Sequence, residues 1–98
     1  MRFSAGITTV STAGGEQQVK SSTDRVLWVK FTAPTANSGL TYVGTSTVTS
    51  SAGYPLGASG GADATLELDF RGGSVLANVF YVDAATNGDK VAWAFVLE

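Results

Sequence analysis

Glu67 and Asp69 are the pair of residues in this chain best spaced for catalysis. Two positions apart on a strand, their side chains would leave the same face. Paired carboxylates carry out glycoside hydrolysis, one as general acid and the other as base or nucleophile. Such enzymes need a large concave cleft, which a chain of 98 residues cannot easily build. We therefore interpret the pair as the solvated outer face of a strand.

A second group of oxygen-bearing side chains, Asp83, Asn87 and Asp89, clusters around one turn. Carboxylate and amide oxygens are ligands that calcium prefers. Their spacing does not match an EF-hand loop, and turn formation explains Asn87 and Asp89 without an ion. We predict no metal site here.

Histidine and cysteine are both absent. Their absence excludes a Ser-His-Asp triad, a disulfide framework and a cysteine or histidine zinc site. Gly57, Gly60 and Gly61 form a glycine-rich loop, but it lacks the lysine and the following helix of a phosphate-binding loop. The sequence therefore predicts a protein that is not an enzyme and holds no cofactor.

Aromatic side chains offer a different kind of site. Several rings in one plane would bind sugars, as in carbohydrate-binding or adhesin modules. Only two of the candidates are tryptophan, and aromatic residues also fill the cores and interfaces of β-sandwiches. We favour core or interface for the set, which is Trp28, Tyr42, Tyr54, Tyr81 and Trp93.

The composition indicates one small, weakly charged domain. Charged residues make up 14% of the chain, against about 25% in typical domains. The net charge of −2 gives no general attraction to nucleic acid or to anionic membranes. Residues 1–49 carry four basic and two acidic groups, and residues 50–98 carry two and six. This asymmetry is either chance or head-to-tail complementarity between subunits. We see no signal peptide or transmembrane segment, and expect synthesis and assembly in a cytoplasm.

The elements that must position these residues are strands. Alternating apolar residues and turn signals predict strands over 3–10, 16–20, 25–33, 41–49, 64–70, 75–82 and 91–97. Gly72-Gly73 predicts a hairpin, and Asn87-Gly88 a type I′ turn into the last strand. Seven to eight short strands indicate an all-β chain, a single antiparallel β-sandwich of jelly-roll type. We expect residues 1–23 to form an N-terminal strand or arm, and residues 24–98 the core of one domain.

The last predicted strand is apolar at all seven positions, 91–97. Alternate residues of a strand face opposite sides, so both of its faces are apolar. A chain of this length has no third layer to cover the second face. We therefore predict that another copy or a larger partner covers it, through an oligomer interface of Trp28, Val91, Trp93, Phe95 and Leu97.

A run of sequence pieces over residues 24–82, about three-fifths of the chain, supports a resemblance. The pieces are 25–31 (RVLWVKF), 36–39 (ANSG), 42–44 (YVG), 53–56 (GYPL) and 80–83 (FYVD). In this order they resemble small all-β structural proteins of tailed bacteriophage virions, found as capsid decoration (cement) proteins or short fibre domains. Residues 57–60 (GASG) stand where the related proteins commonly have Pro-Gly before the acidic strand.

The resemblance implies a non-enzymatic virion protein, made in the host cytoplasm, that clusters at capsid symmetry positions as a homotrimer. Its partners would be further copies of itself and the major capsid protein, with residues 1–23 against the shell. The alternatives are a carbohydrate-binding adhesin module of a fibre, and a completion protein of the head–tail junction or tail.

Overall fold

The computed structural model describes residues 2–34, 36–57 and 65–98. These residues form nine strands in two antiparallel sheets, which confirms the predicted all-β class. The strands are β1 Arg2–Thr9, β2 Gln17–Gln18, β3 Arg25–Thr32, β4 Thr41–Gly44, β5 Tyr54–Leu56, β6 Thr65–Asp69, β7 Val75–Leu76, β8 Tyr81–Ala84 and β9 Lys90–Leu97. The arrangement is compatible with a β-sandwich, and the jelly-roll connectivity stays a prediction.

The two sheets share the strands unevenly. The five-stranded sheet has the order β1-β9-β3-β6, with β7 also paired to β3, and the four-stranded sheet has the order β2-β8-β4-β5. One apolar core lies between them, with side chains from both sheets. At its centre the rings of Phe31, Phe80 and Phe95 lie 5.4–6.2 Å apart between centroids. We call the core side of a sheet its inner face and the opposite side its outer face.

Strand β9 lies in the middle of the five-stranded sheet, as its apolar sequence requires. All eight of its residues pair with β1, and most also pair with β3. Val91, Phe95 and Leu97 point inward and are buried. Ala92, Ala94 and Val96 point outward and are only half-buried. Trp93 is also half-buried, but it points inward at the β1 edge.

Strand β3 contains an irregularity that the alternation did not predict. The simple pattern places Val26 and Val29 on opposite faces, yet both are completely buried. The register against β9 shifts between Val26 and Trp28, so a β-bulge inserts one residue and returns the chain to the core.

The predicted hairpin at Gly72-Gly73 and the predicted type I′ turn at Asn87-Gly88 are both wrong. A type I′ turn needs a positive φ at both central residues, and here Gly88 has one and Asn87 does not. β6 and β7, on either side of Gly72-Gly73, do not pair with each other, because both pair with the same side of β3. β6 and β7 lie end to end along β3, and the turn between them interrupts their pairing with it. Asn87-Gly88 connects β8 in one sheet to β9 in the other, so its turn crosses the sandwich.

Two predicted strands are shorter than expected. The strand over 41–49 ends at Gly44, and a turn follows in which the Val48 amide donates to the Thr45 carbonyl. The strand over 75–82 is broken by a 3₁₀ turn at Ala77–Val79, through which the chain changes sheets. Alternation alone misses such a crossing because residues on both sides of it are apolar.

The N-terminal residues are part of the sandwich. β1 pairs with β9 over its full length, and β2 is an edge strand of the other sheet. Of the two forms expected for residues 1–23, the described residues therefore take the strand.

The inner face of β1 is made of small residues that accommodate one large ring. The indole of Trp93 lies over Gly6, and its Nε1 donates a hydrogen bond of 3.1 Å to Thr8 Oγ1. A Cβ added at Gly6 would lie 2.6 Å from Cζ2 of Trp93. The Nζ of Lys20 lies 5.8 Å from the centroid of the ring, so Trp93 fills the gap between the sheets at this edge.

We predict that Gly6→Ala destabilises the chain by about 1–3 kcal/mol, because the indole must move to admit one methyl group. Chemical denaturation measures the change in the free energy of unfolding. In a Trp93→Phe background the same substitution should cost less, because a smaller ring leaves room for the methyl group. An equal cost in both backgrounds would contradict this contact.

Candidate functional site

The outer face of the five-stranded sheet is divided into an apolar and a charged half. Pairing sets up three rows across β1, β9, β3 and β6. They are Phe3-Val96-Trp28-Asp69, Ala5-Ala94-Lys30-Glu67 and Ile7-Ala92-Thr32-Thr65. Within these three rows the β1 and β9 end is apolar, and the charged residues lie at the β3 and β6 end. Beyond the rows, at the start of β9, the exposed Lys90 lies opposite Thr9.

We call the apolar half of this face the apolar strip. Phe3 and Ile7 project from β1 with 69% and 62% of their surface exposed. Both are large side chains at alternate positions of one strand, and the small outward residues of β9 lie beside them. The strip consists of Phe3, Ala5, Ile7, Trp28, Ala92, Ala94 and Val96. Single exposed apolar residues are ordinary, but a contiguous patch marks an interaction surface.

The start of β1 is held in place by an ion pair. Nη2 of Arg2 donates to Oδ1 of Asp24 at 2.9 Å, and the Ser22 hydroxyl donates to the other carboxylate oxygen. The hydrogen bonds from Arg2 and Ser22 hold the pKa of Asp24 below its ordinary value. Because the pair is exposed, we expect it to orient the end of the strand more than to stabilise the fold.

The predicted interface residues fall in two places. Trp28 is half-buried on the outer face and belongs to the apolar strip. Val91, Phe95 and Leu97 are at most 3% exposed and belong to the core of the chain itself, so they offer no surface to a partner. Trp93 faces inward over Gly6. This part of the prediction is wrong for one reason. The apolar strand has two faces, and its larger residues lie on the face that the other sheet covers.

Sequence reasoning missed the two large exposed members of the strip, Phe3 and Ile7. The signal was present, because Phe3, Ala5 and Ile7 alternate with Ser4, Gly6 and Thr8. Apolar alternation normally marks the inner face of a strand. In β1 the small and polar residues face inward, because Trp93 already occupies that space.

The acidic residues around the turn at 87–88, for which no metal site is predicted, accept hydrogen bonds from the backbone. Both carboxylate oxygens of Asp89 accept, at 2.9 Å each, from the amides of Ser38 and Gly39. Oδ1 of Asp83 accepts from the amides of Gly14 and Ala84. These contacts hold three loops together at one end of the sandwich.

Other candidate groups are not brought together. Trp28 and Tyr54 lie in different sheets, Tyr42 is buried, and Trp93 faces the core, so these rings do not form one platform. Glu67 and Asp69 share the outer face of β6, as predicted. Gly60 and Gly61 lie outside the described residues.

The described ranges lack three other features that could mark a functional site. Residues 2–34, 36–57 and 65–98 show no pocket. They also contain no cluster of three or more metal-ligating side chains. Within the same ranges, no helix has the length and apolar character to cross a membrane.

We predict that Asp89→Ala lowers the free energy of unfolding by about 2–6 kcal/mol, since two amides lose their acceptor at about 1–3 kcal/mol each. Asp89→Asn should cost less, because its one remaining oxygen still accepts. Thermal unfolding with and without millimolar calcium provides the second measurement. We expect calcium to leave the wild-type melting temperature unchanged, and a calcium-dependent rise would contradict the structural role of Asp89.

Comparison with known proteins provides no relative. The chain matches none of the family models, curated proteins or solved structures with which it was compared. Its function must therefore be argued from the surface that its own residues form.

Proposed function

We propose that this chain is a non-enzymatic structural protein that assembles with further copies of itself through the apolar strip. The observation that carries the proposal is the exposure of Phe3 and Ile7 beside the half-buried Val96 and Trp28. Burial of apolar area contributes about 25 cal/mol per Å². A surface with these residues at its centre therefore gains free energy from being covered.

The distribution of charge on the same face supports this proposal. Lys30, Glu67 and Asp69 are all at the β3 and β6 end of the rows. Interfaces combine an apolar centre that lacks charge with a polar rim. The face has that pattern, with β1 at the apolar end and β6 in the position of the rim.

We further propose that the assembly belongs to a phage virion, as a decoration protein on the outer capsid surface. This setting is supported by the resemblance of residues 24–82 to small virion proteins. A decoration protein must bind a shell of repeated capsid subunits. Several copies joined in one assembly bind such a shell with a higher overall affinity than a single copy does. The major capsid protein would then be its second partner.

We predict that Ile7→Asp raises the dissociation constant of the assembly at least tenfold. Burying an isoleucine side chain contributes about 1.5–3 kcal/mol, and a buried unpaired carboxylate adds a cost. Multi-angle light scattering over a dilution series measures the mass. Thr65→Asp is the matched control, because Thr65 lies in the same row at the charged end. A wild-type chain that has the mass of one copy at every concentration would contradict the proposal.

The virion setting has its own test. Antibodies raised against the purified chain should label the capsid in electron micrographs of virions from the source of this sequence. Labelling of the fibres would favour the adhesin alternative, and labelling of the head–tail junction the completion-protein alternative. Virions that carry no label would contradict the virion setting and leave self-assembly to the scattering test.

A further inference from the structure

The outer edge of β1 carries a row of backbone groups that have no partner in the described ranges. The Val10 amide donates to the Asp89 carbonyl at 2.9 Å, and the Val10 carbonyl accepts from Gly88. Val10 therefore directs its backbone groups toward the chain segment that leads into β9. Backbone direction alternates along a strand, so the even-numbered residues of β1 share this direction. The odd-numbered residues, Phe3, Ala5, Ile7 and Thr9, direct theirs away from the sheet.

The other three sheet edges in the described ranges carry features that discourage pairing. The opposite edge of the same sheet is interrupted between β6 and β7 and bears Glu67 and Asp69. In the other sheet, β2 has two residues, and β5 has three, one of which is Pro55. β1 has eight residues, with no proline, no bulge against β9 and no charge beyond Arg2.

We propose that the β1 edge pairs antiparallel with β1 of a second copy, across a twofold axis at Ala5. This inference rests on the proposed self-assembly and specifies its contact. Ala5 lies opposite the partner's Ala5, and Phe3 lies opposite the partner's Ile7. In each of these pairs the outward backbone groups of both copies bond to each other. The two five-stranded sheets become one sheet of ten strands.

The occupant is a second copy because self-pairing removes the one unprotected edge that the described residues form. After pairing, the ends of the ten-stranded sheet are the two β6 and β7 edges, which are interrupted and charged. The assembly therefore closes at two copies, as isologous contacts do. A twofold axis places identical residues near each other, and residues 3–9 carry no charge to repel.

The outward side chains favour this register. Side chains directly opposite each other on one face are the closest cross-strand neighbours. With the axis at Ala5, the most exposed residue of the strip, Phe3, lies beside the partner's Ile7, and the reverse pair forms on the other side. The apolar strips of the two copies then join: Phe3 and Ile7 cover each other along the seam, and the other residues of both strips stay on the outer face of the joined sheet.

The first test replaces the central outward amide. In Ala5→Pro the N–H that would reach the partner is lost, while the bonds from β1 to β9 are kept, since they come from even-numbered residues. We expect the dissociation constant measured by light scattering to rise at least tenfold. Glu67→Pro is the matched control, because the Glu67 N–H also points outward, at the opposite edge of the same sheet; it should leave the mass unchanged. Far-ultraviolet circular dichroism checks that both variants are folded.

The second test uses the wild-type chain and needs no substitution. Amide hydrogen exchange should show Ser4, Gly6 and Thr8 protected at every concentration, because these residues bond to β9. Phe3, Ala5 and Ile7 should gain protection, at least tenfold, as the concentration rises through the dissociation constant. Odd-numbered amides that stay unprotected in the assembled protein would overturn the edge pairing.

The outcomes separate this inference from the proposed function. A mass of two copies that Ala5→Pro reduces to one supports both. The resemblance implies a homotrimer, and a mass of three copies would support self-assembly and overturn the twofold pairing. An assembly disrupted by Ile7→Asp but unaffected by Ala5→Pro would likewise overturn the pairing and retain the strip. A chain that is monomeric at every concentration would overturn both.

Discussion

The fold depends on placing one strand, β9, that is apolar on both faces at the centre of a sandwich with two layers. Its inner residues, among them Phe95, form the core with side chains from the other sheet. Its outer residues cannot be covered by a third layer within the described residues. Two of the three, Ala92 and Ala94, are alanines, so the uncovered side of β9 exposes little apolar area per residue. The larger apolar side chains of that face are on the neighbouring strands.

Hydrogen bonds at one end of the sandwich fix how β9 enters the sheet. The Asn37 side chain accepts from the Lys90 amide and donates to the Lys90 carbonyl, as a neighbouring strand would. Asp89, one residue earlier, gathers the amides of Ser38 and Gly39. The chain crosses between sheets just before this point, so the contacts set the register with which β9 meets β1 and β3. If β8 and β9 were paired in a hairpin, the turn between them would set the register of β9. Here the side chains of Asn37 and Asp89 set it instead.

Much of the fold follows from the sequence, because alternation and turn residues are local signals. The strands around residues 3–10, 25–33 and 91–97 are observed within one or two residues of their predicted bounds. Pairing across turns is not local: Gly72 permits a positive φ whether or not the flanking strands meet. The sequence of β3 alone does not predict the bulge after Val26 either, because the bulge depends on the register of β3 against β9.

The candidate site was predicted less well, for a related reason. The sequence indicates that β9 has an uncovered face, but not which of its faces the other sheet covers. Residue size is a poor guide, because large residues belong both in cores and at interfaces. Trp28 lies on the outer face, as its predicted place in an interface requires, and Lys30, two residues later, faces the same way and reaches solvent. For Phe3 and Ile7 the deciding fact is the position of the Trp93 ring, a contact across 87 positions of sequence between Gly6 and Trp93.

The same contact links the core to the surface that would assemble. Trp93 occupies the inner side of β1, so Phe3, Ala5 and Ile7 must face outward, and a shift of one residue would place Ile7 against the indole. The backbone imposes a matching restriction at the edge, where only odd-numbered residues have free groups. Slips of a second strand along β1 therefore come in steps of two residues, and the first step replaces the Ile7 opposite Phe3 by the smaller Ala5 or by Thr9. A weakly charged chain has few like charges that would disfavour wrong pairings. The direction of the side chains and the direction of the backbone groups along β1 are therefore what can specify one register of assembly.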